Sequence, residues 1–359
     1  MKCYFFLFCF VIIFTTCSQS KRQTIIEGNI PNLPDGTLYL YEDLYTNIVD
    51  SVYTRKGKFK IIYQYDQSNY LGINHIDKKG IKTVFSYLTY AKYKNNLRYT
   101  SRFMSDSLIV ISGNVKEYQP VKGVIVEKNT KLVDAPPLKV GKQTRAYYSI
   151  EMDFFNKADS KAIKEKISQY PYSYHLLYEL EKNKNKYSAL QIKEFLQLFD
   201  KDVKKSDVYK KLFVYAGKKE KKAKLKTPLL EDMNGKKVTF IDPKYDKHLI
   251  VFWASWCGPC REEIPFLKKV YVSKDPKLEF ISISVDKDKA TWKKALNKEQ
   301  MPWKQFIVND KEEAYEDLQI LFKFNNAIPY TVLVDNNLKI LVSSTGLSSE
   351  EQLKDILGK

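Results

Sequence analysis

The sequence predicts a multidomain chain. A β-sandwich-like domain comes first, a helical segment follows, and an α/β domain with a central insertion closes it. Three patterns carry this reading. From about Thr24 to Lys139 apolar residues alternate with polar ones between turn signals, the mark of half-buried strands. From about Gln143 to Lys224 the apolar spacing becomes helical. From Thr227 to the end, apolar strand-like runs alternate with amphipathic helices, as in an α/β sheet with covered faces. The corresponding bounds are 1–17 for an export-type segment, 18–140, 141–224 and 225–359.

A length of 359 residues with 44% hydrophobic and 14% aromatic content supports two or three cored domains and excludes wholesale disorder. The formal net charge is +18, but lysine is spread over strand-like and helix-like segments alike. No basic cluster interleaves with aromatics in a nucleic-acid motif, so the lysines read as solvated surface and no nucleic acid is expected as a partner.

The amino-terminal stretch MKCYFFLFCFVIIFTTC has one charge at Lys2, an apolar run to Phe14, small residues Thr15 and Thr16, then Cys17 ahead of polar SQSKRQ. This is the layout of an export signal and is short for a membrane span. A cysteine directly after the cleavage region resembles a bacterial lipoprotein signal, which implies acylation of Cys17; Phe14 and Thr16 depart from the usual residues there. Plain secretion or an uncleaved anchor is the alternative.

In the β-rich block, Pro34-Asp35-Gly36 turns into TLYLYE, and VDSVYTRKGKFKIIYQY reads as two strands around Lys56-Gly57. SLIVISGNV and VKGVIVEK continue the style, and Asp134-Ala-Pro-Pro-Leu breaks it as an expected linker. In the middle, SALQIKEFLQLFD has helical spacing behind an S-x-x-Q cap at Ser188 and Gln191. Tyr170-Pro171-Tyr172 separates helices, and GKKEKKAKLK reads as a solvated connector. In the last block KHLIVFW is a buried strand, REEIPFLKKVY a helix, LEFISISV a strand and KDKATWKKALNK a helix. YTVLVD and LKILVSS flank a hairpin turn at Asn336-Asn337, and SSEEQLKDILG is a capped closing helix. That order is the order of a thioredoxin fold with an extra helical insertion after the second strand.

Beyond the export-type segment, Cys257 and Cys260 are the only cysteines. A structural zinc site needs four ligands, and His75, His175 and His248 are scattered without metal spacing, so no metal is expected. Arg261 stands where c-type haem attachment needs histidine. A bridge across two residues stabilises little. A redox pair fits best, because the motif lies between a buried strand and a helix. Cys257 then sits at the helix start, where unpaired N–H groups and the helix dipole favour a thiolate. Gly258 and Pro259 permit the turn, and Cys260, one turn on, can point back at Cys257. Cys257 is expected to be the exposed nucleophile that forms a mixed disulfide, and Cys260 the thiol that resolves it. The disulfide itself is the only redox group this requires.

FWASWCGPCREEIP and NNAIPYTVLVD resemble the exported thiol–disulfide oxidoreductases of the TlpA/ResA type, over about Thr227 to Lys359. The resemblance implies that Pro329 is a cis-proline facing the cysteines and that the backbone at Ile328 pairs with an extended substrate; the alternative is an ordinary strand-start proline. It implies that Glu263, in C-x-x-C-x-x-E-x-P, raises the thiol pKa and accepts a proton, against the plainer role of complementing the helix dipole. Trp256 is expected to line the substrate surface and Pro265 to kink the helix. Val251 replaces the buried acid of cytosolic thioredoxin, leaving proton handling to Glu263 or water. The stretch from Ile26 to Ile61 resembles the β-rich amino-terminal domain of unknown function on many such proteins.

The function expected is a membrane-tethered protein-disulfide reductase on the periplasmic face of the cell envelope, fed by a transmembrane donor of the CcdA/DsbD type. The candidate substrates are apocytochrome c, other disulfide-containing exported proteins or a dedicated partner. An oxidase or isomerase, or a binding lipoprotein with an accessory redox domain, is the alternative. A peroxiredoxin-like peroxidase is disfavoured, because Ala254-Ser255-Trp256-Cys257 is not Thr-x-x-Cys.

Overall fold

A computed structural model describes residues 22–42, 47–93, 96–120, 126–222, 226–347 and 349–358. Cys17, with the rest of the export-type segment, lies outside the described residues, as do 121–125 of VKGVIVEK. The chain divides into two compact units. One runs to Phe154 and includes Ser173–His175; the other comprises Phe155–Tyr172 and the chain from Leu176 on.

The first unit holds two sheets. Four strands pair in the order Leu138–Val140, Leu108–Ser112, Arg22–Asn29, Lys58–Tyr65. The larger sheet is centred on Tyr70–Asp77 between Gly36–Glu42 and the long strand Lys82–Tyr93. Alternation places Leu38, Leu40, Ile26 and Ile61 inside, as the pattern predicts. The turn at Lys56-Gly57 has both residues at positive φ, 51° and 70°. A Cβ on Gly57 would lie 1.7 Å from the Ile30 carbonyl oxygen, so the close approach requires glycine. This turn passes the chain from one sheet to the other: Asn47–Thr54 pairs with Gly36–Glu42, whereas Lys58–Tyr65 pairs with Arg22–Asn29.

The expected linker at Ala135-Pro136-Pro137 is instead a crossing between sheets. Thr130–Asp134 pairs with Lys82–Tyr93, and Leu138–Val140 joins Leu108–Ser112. The helix Lys142–Ser149 then locks onto this unit through Thr144, whose N–H donates to Asp106 at 2.9 Å and whose hydroxyl donates to the Met104 carbonyl at 3.0 Å. Prolines mark the turn, while strand pairing on both sides decides that it stays inside the unit.

In the second unit, helices Ser160–Gln169, Ala189–Gln197 and Asp207–Glu220 come from the middle segment. Ser188 and Gln191 form the reciprocal capping box. The run GKKEKKAKLK is not a free connector: Gly217 to Glu220 finish the helix Asp207–Glu220, and Lys218 ion-pairs with Glu313 at 2.7 Å and Asp317 at 3.4 Å.

The sheet of this unit has seven strands in the order Lys237–Thr239, Leu229–Asp232, Lys304–Ile307, Leu278–Ser284, Lys247–Trp253, Tyr330–Asp335, Ile340–Thr345. Lys247–Trp253 lies parallel to Leu278–Ser284 and antiparallel to Tyr330–Asp335. Both faces are covered, which is why KHLIVFW is a continuous apolar run. Ile250 and Phe252 pack on one side with Phe322, Phe324 and Tyr330; Leu249 and Val251 pack on the other with Leu267 and Leu353. The central insertion is more than the expected helix. After Lys289–Glu299 it adds the strand Lys304–Ile307, only four residues long, and the helix Glu313–Phe322 follows.

Candidate active site

The central strand Lys247–Trp253 ends at Ala254-Ser255-Trp256, and the helix Gly258–Val272 begins immediately after Cys257. Cys257 is the N-cap residue, with extended backbone, and Pro259 lies in the first turn, where its missing N–H is no loss. The Cys257 N–H closes a turn onto the Ala254 carbonyl at 3.1 Å. Cys257 and Cys260 form a disulfide, with Cα atoms 5.3 Å apart. The N–H of Cys260 donates to Cys257 Sγ at 3.2 Å, so a helix-end donor already points at that sulfur.

The expectation that Cys257 is exposed needs correcting. Cys257 is 5% exposed and Cys260 3%. Both belong to one buried cluster with Trp253, Ala254, Ile264, Trp292, Leu296 and Ile307. What reaches solvent is a rim: Trp256 at 69% exposure, with Gly258 and Pro259.

The bond Ile328–Pro329 is cis. Half-buried Ile328 packs against the cluster that contains both cysteines, and Pro329 is buried with its carbonyl accepting from Gly346 N–H at 3.0 Å. The next residue, Tyr330, stands opposite Phe252 in the sheet. Strand pairing thus carries Ile328 and Pro329 to the same end of the sheet as the cysteines.

Glu263, on the turn of the helix after Cys260, is 4% exposed. Its Oε1 accepts from Leu347 N–H at 2.5 Å, while Oε2 has no partner. Burial pushes its pKa up to about 7 against the opposing pull of the Leu347 N–H. A carboxyl in this state holds or yields a proton near neutrality. Pro265 lies inside the helix. Val251 is buried in an apolar cluster that also holds Leu347, whose N–H binds Glu263.

One buried group was not anticipated. Asp286, 2% exposed, follows the strand Leu278–Ser284. Its carboxylate accepts from the Ser255 N–H (2.9 Å), the Ser255 hydroxyl (2.7 Å) and the Ser284 hydroxyl (2.6 Å). The Val285 N–H adds a bond to the Trp253 carbonyl at 2.9 Å. The turn carrying Trp256 and Cys257 is thereby stitched to the neighbouring strand. The available signal was an acid at the carboxyl end of an apolar strand, where α/β sheets place their sites.

Among the described residues no group of three His, Cys, Asp or Glu side chains could hold a metal, and no helix is long and apolar enough to cross a membrane. The three histidines are buried and hydrogen-bonded: His75 to Thr54, His175 to Tyr70 and His248 to Glu279.

A family model described as thioredoxin-like matches residues 245–340. The thiol-disulfide oxidoreductase ResA of Bacillus subtilis (strain 168) is 27% identical over 148 residues, covering 40% of this chain and 79% of the relative. ResA of Bacillus thuringiensis (strain Al Hakam) is 27% identical over 133 residues, covering 36% and 73%. A crystal structure of the thioredoxin domain of a thiol-disulfide oxidoreductase from Bacteroides vulgatus shares 27% identity over 36% of this chain and 89% of its own, with a TM-score of 0.32.

Proposed function

We propose, from a chain whose carboxyl-terminal domain is a thioredoxin-like thiol–disulfide oxidoreductase domain, that the protein is a protein-disulfide reductase. It works tethered to the membrane on the periplasmic face of the cell envelope. The observation that carries the chemistry is the Cys257–Cys260 pair at the start of a helix, with Cys257 as N-cap beneath a solvent-facing rim. Reduced Cys257, as thiolate, attacks one sulfur of a substrate disulfide. A Cys257–substrate disulfide forms and the other substrate sulfur leaves as a thiolate that takes up a proton. Cys260, once deprotonated, attacks Cys257 Sγ; the intramolecular disulfide forms and the second substrate thiolate leaves and is protonated. The substrate gains two electrons and two protons, and the protein loses them. Glu263 receives the proton released as Cys260 ionises, a task its pKa of about 7 suits. The Ile328 backbone pairs with the extended substrate on the other side of the disulfide.

A dithiol of this kind sits at roughly −270 mV, so in an oxidising compartment it needs a continuous donor. A transmembrane dithiol of the CcdA/DsbD type, returning two electrons per cycle, fits that need. Disulfide-containing exported proteins, including apocytochrome c, are the substrates. The lipoprotein-like layout around Cys17 supports a lipid tether there.

Insulin reduction and a measured reduction potential test the direction. A reductase gives turnover with a dithiol donor and a potential near about −270 mV; a potential near about −120 mV makes the protein an oxidase instead. Cys17→Ser should move the protein from the membrane to the soluble fraction, and retention at the membrane would overturn the lipid tether.

A further inference from the structure

The middle helices from Ser160–Gln169 on belong to the same compact unit as the redox domain and are tied to the helix Glu313–Phe322 and to the loop that follows it. Lys218 pairs with Glu313 and Asp317 of the helix Glu313–Phe322, and Lys222 Nζ donates to the Leu321 carbonyl at 3.2 Å. Lys219 Nζ donates to the carbonyls of Lys184 and Asn185 at 3.3 and 3.2 Å. Between these contacts the Asn185 side chain reaches across: Nδ2 donates to the Phe324 carbonyl, and Oδ1 accepts from the hydroxyl of buried Tyr215. A carbonyl can only accept, so the nitrogen end of the amide must face Phe324 and the Tyr215 hydroxyl is left to orient the oxygen end.

Phe324 opens the segment that leads to Ile328 and Pro329. Its ring stacks on Phe252, 4.3 Å between centroids, beside the strand that ends at the cysteines. Two residues on, Asn326 adopts a left-handed backbone, φ 69°, and its Oδ1 accepts from Tyr315 at 2.7 Å and Gln319 at 2.6 Å. The segment from Asn325 to Ala327 is exposed and belongs to no strand or helix. The segment is thus held by point attachments rather than by a ladder, through the Asn326 side chain and the Phe324 carbonyl just before it, and the latter is held from the middle segment, well outside residues 245–340 of the thioredoxin-like match.

We infer that Asn185 is a positioning residue for substrate pairing: by holding the Phe324 carbonyl it fixes the loop that presents the Ile328 backbone to a protein substrate. The middle segment is then part of the substrate-binding apparatus. This rests on the reading above that Ile328 pairs with substrate. A loop held loosely still leaves Cys257 and Cys260 intact, so only substrates that use backbone pairing are affected. A small disulfide without a peptide backbone reads the cysteines alone.

The test uses the full chain with Asn185→Ala, Asn185→Asp, which turns an acceptor toward the carbonyl, and Tyr215→Phe, which removes only the orienting hydroxyl. Steady-state kinetics with insulin are compared with those for 5,5′-dithiobis(2-nitrobenzoate), and the reduction potential is measured for each. One hydrogen bond to a carbonyl predicts a KM for insulin raised about three- to tenfold in the two Asn185 variants and less in Tyr215→Phe. The small-disulfide rate and the potential stay at wild-type values. An unchanged insulin KM in folded variants overturns the inference, and so does an equal loss on both substrates. If Asn185→Ala fails to fold, Asn185→Asp and Tyr215→Phe decide by the same criteria. A wild-type protein inactive on both disulfides would instead overturn the proposed reductase function.

Discussion

Two buried glutamates beside opposite ends of the central strand Lys247–Trp253 are held in opposite ways. At its start, His248 is fully buried, with Nδ1 2.7 Å from Glu279 and Nε2 3.3 Å from Asn336. Glu279 in turn receives Lys304 at 2.6 Å and the Asp242 N–H at 3.1 Å. Burial pushes the Glu279 pKa up, but the bonds from His248, Lys304 and Asp242 outweigh it and the pKa ends below the ordinary value. At the other end Glu263 has one N–H donor and an orphaned oxygen, Trp253 and Trp292 have unpartnered ring nitrogens, and burial wins. Two buried glutamates in one domain thus shift in opposite directions. The satisfied Glu279 cluster is scaffold; at the other end Asp286 is satisfied too, and the unpartnered Glu263 lies beside the disulfide, where perturbed titrating groups concentrate.

Replacing single residues at each end breaks the contrast where it is deepest. Cys257→Ser should reduce insulin turnover to background while leaving the denaturation midpoint nearly unchanged, since a bridge across two residues closes too small a loop to stabilise much. Glu279→Gln should do the reverse. Stripping the carboxylate from its buried partners costs about 3–5 kcal/mol of stability by denaturant titration, with per-molecule turnover of the folded fraction retained.

Glu263→Gln sharpens the comparison through pH. The folded pKa of Glu263 is raised from 4.5 to about 7, so its contribution is fully present below 4.5 and is lost as pH rises through 7. A shift of that size corresponds to about 3 kcal/mol of stability. The Gln variant should lack this decline in unfolding measurements between pH 4.5 and about 7, and the neutral limb of its activity profile should move. Glu279 has the opposite sign: its contribution is present above 4.5 and falls away as pH drops through its lowered folded value. The smallest effect is expected at Asp286→Asn, which weakens the stitch to Ser255. It should cost about 1–3 kcal/mol and slow alkylation of reduced Cys257, whereas wild-type stability and rate would deny the stitch a role.

What could be read from the sequence followed from local pattern. KHLIVFW, CGPC at a helix start and AIPY each announce themselves within a few residues, and the Ser188 cap needs only a spacing of three. What was missed depends on distant partners. The burial of Glu263 involves Leu347, far along the chain, and Asp286 matters only because Ser255 comes to it. The strand Lys304–Ile307 is too short to show its period, yet it pairs with Leu278–Ser284 in the sheet. GKKEKKAKLK looks solvated by composition, while the acids of Glu313–Phe322 recruit Lys218. Cys257 reads as open because it starts the helix and Cys260 lies one turn further on. Its burial comes from Trp253, Trp292 and Ile307, which no local pattern places beside it.

The most direct test is a pH titration of iodoacetamide alkylation of Cys257 in the reduced protein, with Cys260→Ser to isolate the signal. A thiol stabilised at the amide-rich start of a helix titrates clearly below the value of about 8.5 for free cysteine. A titration at or above that value would mean that burial and Glu263 dominate, and that Cys257 is not the activated nucleophile.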